Sequence, residues 1–237
     1  MRKLLLATVA VLAMSASALA GTMNLMLDQD GGAFSQTFFG VPGQSTFTAT
    51  NAAFGNFNIV NITGSTTPTT SAPILLTSNT LDVQTTTTTP HILQVWISAN
   101  DLTSPIALVD FFSGLTNVAL SDGWAVTLET LVSTTNQMFT GTQLATDTFF
   151  GGPLPTVFAS NFSDFFDVGA GPYSLTAHYT IFTDGLGQAN SGITIAGTET
   201  PLPAAVWMFG GGLGLLAMIG RRRKKTPRSI WDEPVKV

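Results

Sequence analysis

Apolar and polar residues alternate in short runs through the middle of the chain, in Phe57 to Asn61, Ile92 to Ser98, Trp124 to Leu128 and Leu175 to Phe182. Successive side chains of a strand point to opposite faces, so this alternation predicts half-buried β-strands. Clusters of Gly, Asn and Pro between the runs supply turns. The middle shows no convincing amphipathic helix, and no repeat of fixed period recurs. The expected fold is all-β, a β-sandwich or jelly-roll-like domain.

Residues 65–90 are less regular, with eleven Thr, three Ser and three Pro. Thr favours strands but also marks flexible stalks open to O-glycosylation. Ile74-Leu75-Leu76 and Leu81-Asp82-Val83 interrupt the low complexity and favour strand and loop.

Two stretches abandon alternation. Residues 1–20 carry a basic start at Arg2 and Lys3, an apolar run from Leu4 to about Met14, and small residues ending in Ala18-Leu19-Ala20. This is the pattern of a secretory signal peptide, with cleavage by signal peptidase expected after Ala20. Residues 204–220 carry no charge and are followed at once by Arg221, Arg222, Arg223, Lys224 and Lys225. As a helix rising about 1.5 Å per residue they reach roughly 25 Å, enough for a lipid bilayer span. The five cations read as a stop-transfer cluster held on the cytoplasmic side, which places the body outside. Within the span Gly210 and Gly214 form a GxxxG pair that permits close helix packing. The organisation expected is signal peptide 1–20, exported domain 21–200, span with basic end to 225, and a cytoplasmic tail 226–237.

Charge sharpens this division. All nine Lys and Arg lie at the two ends, while residues 21–200 hold twelve acids and no cation. Over 237 residues the formal charge of −5 therefore conceals a body of net −12. Binding to nucleic acid needs cations to neutralise phosphates, so no nucleic-acid partner is expected. Schiff-base lysines, arginine clamps and the P-loop lysine are missing from the body as well. The chain has no cysteine, which removes thiol chemistry and disulfides, and His91 and His178 are its two histidines.

The run Pro201-Leu202-Pro203-Ala204-Ala205, followed by the apolar segment and the Arg-rich cluster, resembles the C-terminal sorting signal of PEP-CTERM proteins in its VPLPA-CTERM variant. The resemblance implies an exosortase substrate of a Gram-negative cell surface, often found alongside exopolysaccharide production. Thr200 stands where the variant usually has Val, and twelve residues follow the basic cluster. The LPxTG type of signal fits less well, because Leu202-Pro203-Ala204-Ala205 lacks the Thr-Gly pair. Upstream, Gly171-Pro172-Tyr173-Ser174-Leu175-Thr176 through Ile181, then Gly192 to Ile195, looks like the final hairpin of many such exported proteins and implies shared architecture.

Candidate chemistry in the body is sparse. A metal or acid-base role for His91 and His178 needs them to converge with a carboxylate, and satisfied strand histidines are the expectation. No G-x-S-x-G, H-E-x-x-H or C-x-x-C motif is present, so no catalytic residue is assigned. Asp28-Gln29-Asp30-Gly31-Gly32 matches the opening of a calcium loop, but Phe39 occupies the twelfth position where a Glu is needed. Asp28 and Asp30, or Asp164 and Asp167, are thus weak candidates for loose Ca²⁺ binding, against a solvated acidic surface that aids solubility. Asn61-Ile62-Thr63 and Asn161-Phe162-Ser163 match glycosylation sequons and are discounted in a bacterial setting.

These observations point to an exported, non-enzymatic surface or matrix protein with a structural or adhesive role, exopolysaccharide being a candidate partner. The alternative is a carbohydrate-binding module that uses exposed aromatics such as Trp96 and Trp124. A carboxylate-dependent glycoside hydrolase is the third reading.

Overall fold

The computed structural model describes residues 21–66, 74–154 and 157–199. The predicted signal peptide with Ala18 and Ala20, the Pro201–Ala205 motif, the span and the Arg221–Lys225 cluster lie outside the described residues. The chain divides into two units at Glu199, and every described residue belongs to the first.

That unit is an all-β sandwich of twelve strands: β1 (Thr22–Gln29), β2 (Phe34–Phe38), β3 (Thr46–Phe54), β4 (Phe57–Ser65), β5 (Ile74–Thr85), β6 (His91–Leu102), β7 (Leu108–Leu120), β8 (Ala125–Ser133), β9 (Thr142–Phe150), β10 (Phe158–Asp167), β11 (Tyr173–Thr183) and β12 (Gln188–Glu199). All pairings are antiparallel. One sheet runs β2-β1-β6-β11-β8-β9, here sheet A, and the other runs β10-β7-β12-β5-β4-β3, here sheet B. Strands β5 to β12 pair as nested partners, β5 with β12, β6 with β11, β7 with β10 and β8 with β9. This nesting is the jelly-roll path. Strands β1 and β2 widen sheet A beside β6, and β3 and β4 widen sheet B beside β5.

The alternation of the sequence becomes the two faces of each sheet. Leu93, Val95, Ile97 and Ala99 of β6 pack inward with Leu175, Ala177, Tyr179 and Ile181 of β11 and Val126 and Leu128 of β8. Sheet B answers with Val109, Phe111, Leu115, Ile193 and Ile195. Each fully buried aliphatic or aromatic side chain contributes about 1.5–3 kcal/mol. Hydrogen bonds cross the core between the sheets: Ser113 and Thr130 share a hydroxyl contact of 2.8 Å, and the Tyr179 hydroxyl donates to Ser78 O at 3.5 Å. Burial pushes the Tyr173 and Tyr179 phenols well above their ordinary range, so both remain neutral donors.

One expectation holds and two change. The Thr-rich segment contributes a long strand, β5, whose Ser78 and Thr85 are buried. Strands β11 and β12, expected as a hairpin, do not pair with each other; they enter opposite sheets and arch over the core. Trp124 is not in a strand: it lies in the turn before β8 and is 1% exposed, which removes it from the exposed aromatics.

Opposite faces of one strand give a direct test. Leu128 is buried in the core, while its neighbour Thr127 reaches Thr148 on the exposed surface. Leu128→Ala should cost about 2–5 kcal/mol in equilibrium urea unfolding, and Thr127→Ala under about 1 kcal/mol.

Candidate functional site

The two histidines occupy different places. Along β6, His91 lies five residues from Trp96, the cross-strand partner of His178. At about 3.3 Å per residue the two sites are roughly 17 Å apart, so they do not form one centre. Each meets its own carboxylate.

His91 closes a polar clasp between the sheets. Its Nδ1 is 2.8 Å from Asp30 Oδ2, and its Nε2 is 2.8 Å from Asn56 Nδ2 and 3.0 Å from Thr89 Oγ1. The carboxylate thus meets one ring nitrogen, while the Asn56 amide and the Thr89 hydroxyl meet the other. Asp30 Oδ1 accepts from the Ile92 N–H at 2.8 Å, and Oδ2 accepts also from Gln29 Nε2 at 2.8 Å. Burial opposes ionisation of Asp30, but the Ile92, Gln29 and His91 donors together with the His91 charge outweigh it and hold the carboxyl below its usual value. The buried Gln29 completes the clasp by accepting the Asn56 N–H at 2.8 Å, joining β1 to the β3–β4 turn of the other sheet.

Asp30 therefore spends both oxygens on N–H donors, and Asp28 Oδ1 accepts from Gly32 N at 2.9 Å, closing its own turn. Asp167 likewise accepts from Gly169 N at 2.9 Å. Among the described residues no group of three or more His, Asp or Glu side chains is placed to hold a metal ion.

His178 belongs to a row across the outer face of sheet A. Register places Met26, Trp96, His178 and Glu129 side by side on β1, β6, β11 and β8. The His178 ring stacks on Trp96 at 4.5 Å between centroids and 5° between planes, and its Nδ1 is 2.7 Å from Glu129 Oε2. Burial lowers the His178 pKa; the Glu129 hydrogen bond and charge pull the other way, and burial prevails. The ring is thus neutral near pH 7, donating to Glu129 and bracing Trp96.

The next row of the same face, Asn24, Ser98 and Thr176, points outward and is nonetheless buried. Two loops close over this end of the face, where β1 begins and β12 finishes. Residues 39–45 fold back on β1, with Gly40 N donating to Asn24 Oδ1 at 3.1 Å and Gly43 N to Thr22 Oγ1 at 3.2 Å. Residues 134–141 cross from the other side: Asn136 and Asp101 exchange two bonds, of 2.8 and 2.7 Å, and Ser174 Oγ donates to Gln137 O at 2.5 Å. Between the loops runs an open groove of about 500 Å³, with Met26, Thr37 and Phe39 on one side and Gln137, Met138 and Phe139 on the other.

Sequence reasoning took Trp96 as exposed, whereas it is half-buried in an outward row against His178, and it missed the groove beside that row. The available signal was Met138-Phe139, two large apolar residues in a connection otherwise rich in Thr, Asn and Gln. Other acids have local partners: Asp110 the Ser163 hydroxyl, Asp147 the Ser160 hydroxyl and the Thr148 N–H, and Glu199 the Ile106 N–H.

Two outcomes follow from this geometry. Unfolded His178 takes a proton near pH 6.5, whereas the folded ring resists it. Below that pH the unfolded state binds more protons, so stability falls with acidification until the folded ring also titrates. Urea unfolding between pH 7.5 and 5 should show this extra slope in the parent chain and its loss in His178→Gln. At the clasp, Gly55 has φ +55° and a Cβ there would overlap Gln29 Oε1. Gly55→Ala should therefore lower the unfolding free energy by about 1–3 kcal/mol through backbone strain and displacement of Gln29.

No family model matches the chain, and no curated protein matches it. Among solved structures it is similar to the enzymatically active domain of bacteriophage CBA120 tailspike protein 4, at 8% identity and TM-score 0.30, over 73% of this chain and 19% of that one. It is also similar to infectious bursal disease virus, Gx strain, at 14% identity and TM-score 0.29, over 83% of this chain and 56% of that one. The VP2 subviral particle of infectious bursal disease virus aligns at 12% identity and TM-score 0.31, over 75% and 56% of the two chains. The chain spans from about a fifth to just over half the length of these structures. Likeness at this level carries no inference about what the chain does.

Proposed function

We propose that this is an exported protein of the bacterial cell surface or extracellular matrix, processed or anchored by an exosortase, with a structural or adhesive role. One observation carries the reading: the sandwich fills the interval between the two address segments. Strand β1 begins at Thr22, two residues after Ala20, and β12 ends at Glu199, two residues before Pro201. In this reading signal peptidase cuts after Ala20, Pro201 to Ala205 form the recognition motif, residues 204–220 span the bilayer, and Arg221 to Lys225 stay in the cytoplasm. The histidines support a non-catalytic role, since both are committed to structural partners, Asp30 and Glu129.

A second reading, a carbohydrate-binding module, draws support from the groove beside Trp96, which mixes aromatic and thioether surfaces with amides and hydroxyls.

The leading reading is tested by the intact mass of the protein from cells and from medium, with and without the exosortase gene. The expected mature species starts at Gly21 and ends near Pro203, and it disappears in the strain lacking the exosortase. A chain retaining Arg221 to Val237 in both strains would sink the sorting role.

A further inference from the structure

We propose that the groove between loops 39–45 and 134–141 binds a neutral hexose chain, as opposed to an acidic polysaccharide. This rests on the carbohydrate-binding reading of the same groove and names its ligand class.

The lining decides the chemistry. Met26, Phe39, Met138 and Phe139 offer apolar surfaces, and Thr37, Asn136, Gln137 and Thr140 offer hydroxyls and amides. A pyranose ring has the complementary division, apolar C–H faces and a rim of hydroxyls that both donate and accept. The groove contains no charged side chain, so nothing in it would pair with an ion. Its surroundings decide the charge of the ligand. The body holds twelve acids with no Lys or Arg, and the field over its surface repels a polyanion. A cationic ligand would need a carboxylate in the groove; the adjacent Asp101 is already engaged by the Asn136 side chain. The groove is open to solvent, which leaves room for a ligand that continues beyond it.

The walls are held in place before any ligand arrives. Phe139 sits at φ +61° and Asn136 at φ +57°, left-handed conformations that a bulky residue such as Phe adopts rarely. The Asn136–Asp101 pair and the Ser174–Gln137 bond fix the loop that carries the Phe139 ring. On the opposite wall, Met26 is flanked by Trp96, itself braced by His178.

The test is titration of the full chain, labelled at methionine methyls, with cellohexaose, maltohexaose and polygalacturonate. At least one neutral hexasaccharide should shift the Met26 and Met138 methyl resonances saturably. Phe39→Ser, at a side chain 70% exposed, should weaken that binding at least tenfold with no change in Tm. Phe139→Gly, which removes the ring while relieving the backbone, should do the same without loss of stability. Binding of polygalacturonate alone would overturn the neutral-ligand proposal and leave the carbohydrate reading standing. Absence of response to all three would overturn both. A dimer in sedimentation that closes the groove and dissociates in Phe39→Ser would identify a second copy of the chain as the occupant, and would overturn the proposal.

Discussion

Face-to-face burial of two alternating sheets is the interaction on which the body depends. A cysteine-free segment without Lys or Arg has no disulfide and no ion pair beyond those its histidines can make. The hydrophobic effect and backbone ladders must therefore carry the fold, and the nested pairing of β5 to β12 closes both sheets around one core. The few polar groups inside serve this packing. Ser113 and Thr130 satisfy each other across the gap, and Tyr179 reaches a carbonyl of the opposite sheet. At one end the Asp30–His91–Asn56–Gln29 clasp joins the sheets with hydrogen bonds where apolar contact runs out.

The outer face of sheet A is the place where the fold departs from a simple sandwich. Its outward row at Asn24, Ser98 and Thr176 is covered by connections, so polar side chains are buried outside the core as well as within it. Asn24 accepts the Gly40 N–H of one loop, and Thr176 and Ser98 satisfy each other within the sheet. Rigidity of the groove walls is thus a by-product of satisfying buried polar groups, which connects the packing of the sheet to the chemistry of the surface.

The strands were legible where one face is apolar and the other polar. The runs at Phe57, Ile92 and Leu175 fall within β4, β6 and β11, and Ala125 to Leu128 within β8. Elsewhere inward polar residues disguised the pattern: Ser78 and Thr85 in β5, Ser113 and Asn117 in β7 and Ser191 in β12 are all buried. In β10 the disguise is reversed, since Phe162 and Phe165 of this edge strand are exposed. Which strand joins which sheet is a non-local matter, so the arch from β11 to β12 resembled a hairpin in sequence. The Glu129–His178–Trp96 row depends on cross-strand register, and the groove on two loops distant in sequence. Local periodicity contains neither.

The exclusion of Lys and Arg from the sandwich also bears on how the protein meets proteases and how it is observed. Trypsin, and any protease that requires a basic side chain at the scissile bond, finds no site between Gly21 and Thr200, whether the body is folded or unfolded. Resistance of this kind is written into the covalent chain and does not depend on stability. The same property conceals the body: tryptic digestion of the chain leaves Leu4 to Arg221 as one fragment, and short tryptic peptides come from the basic tail alone.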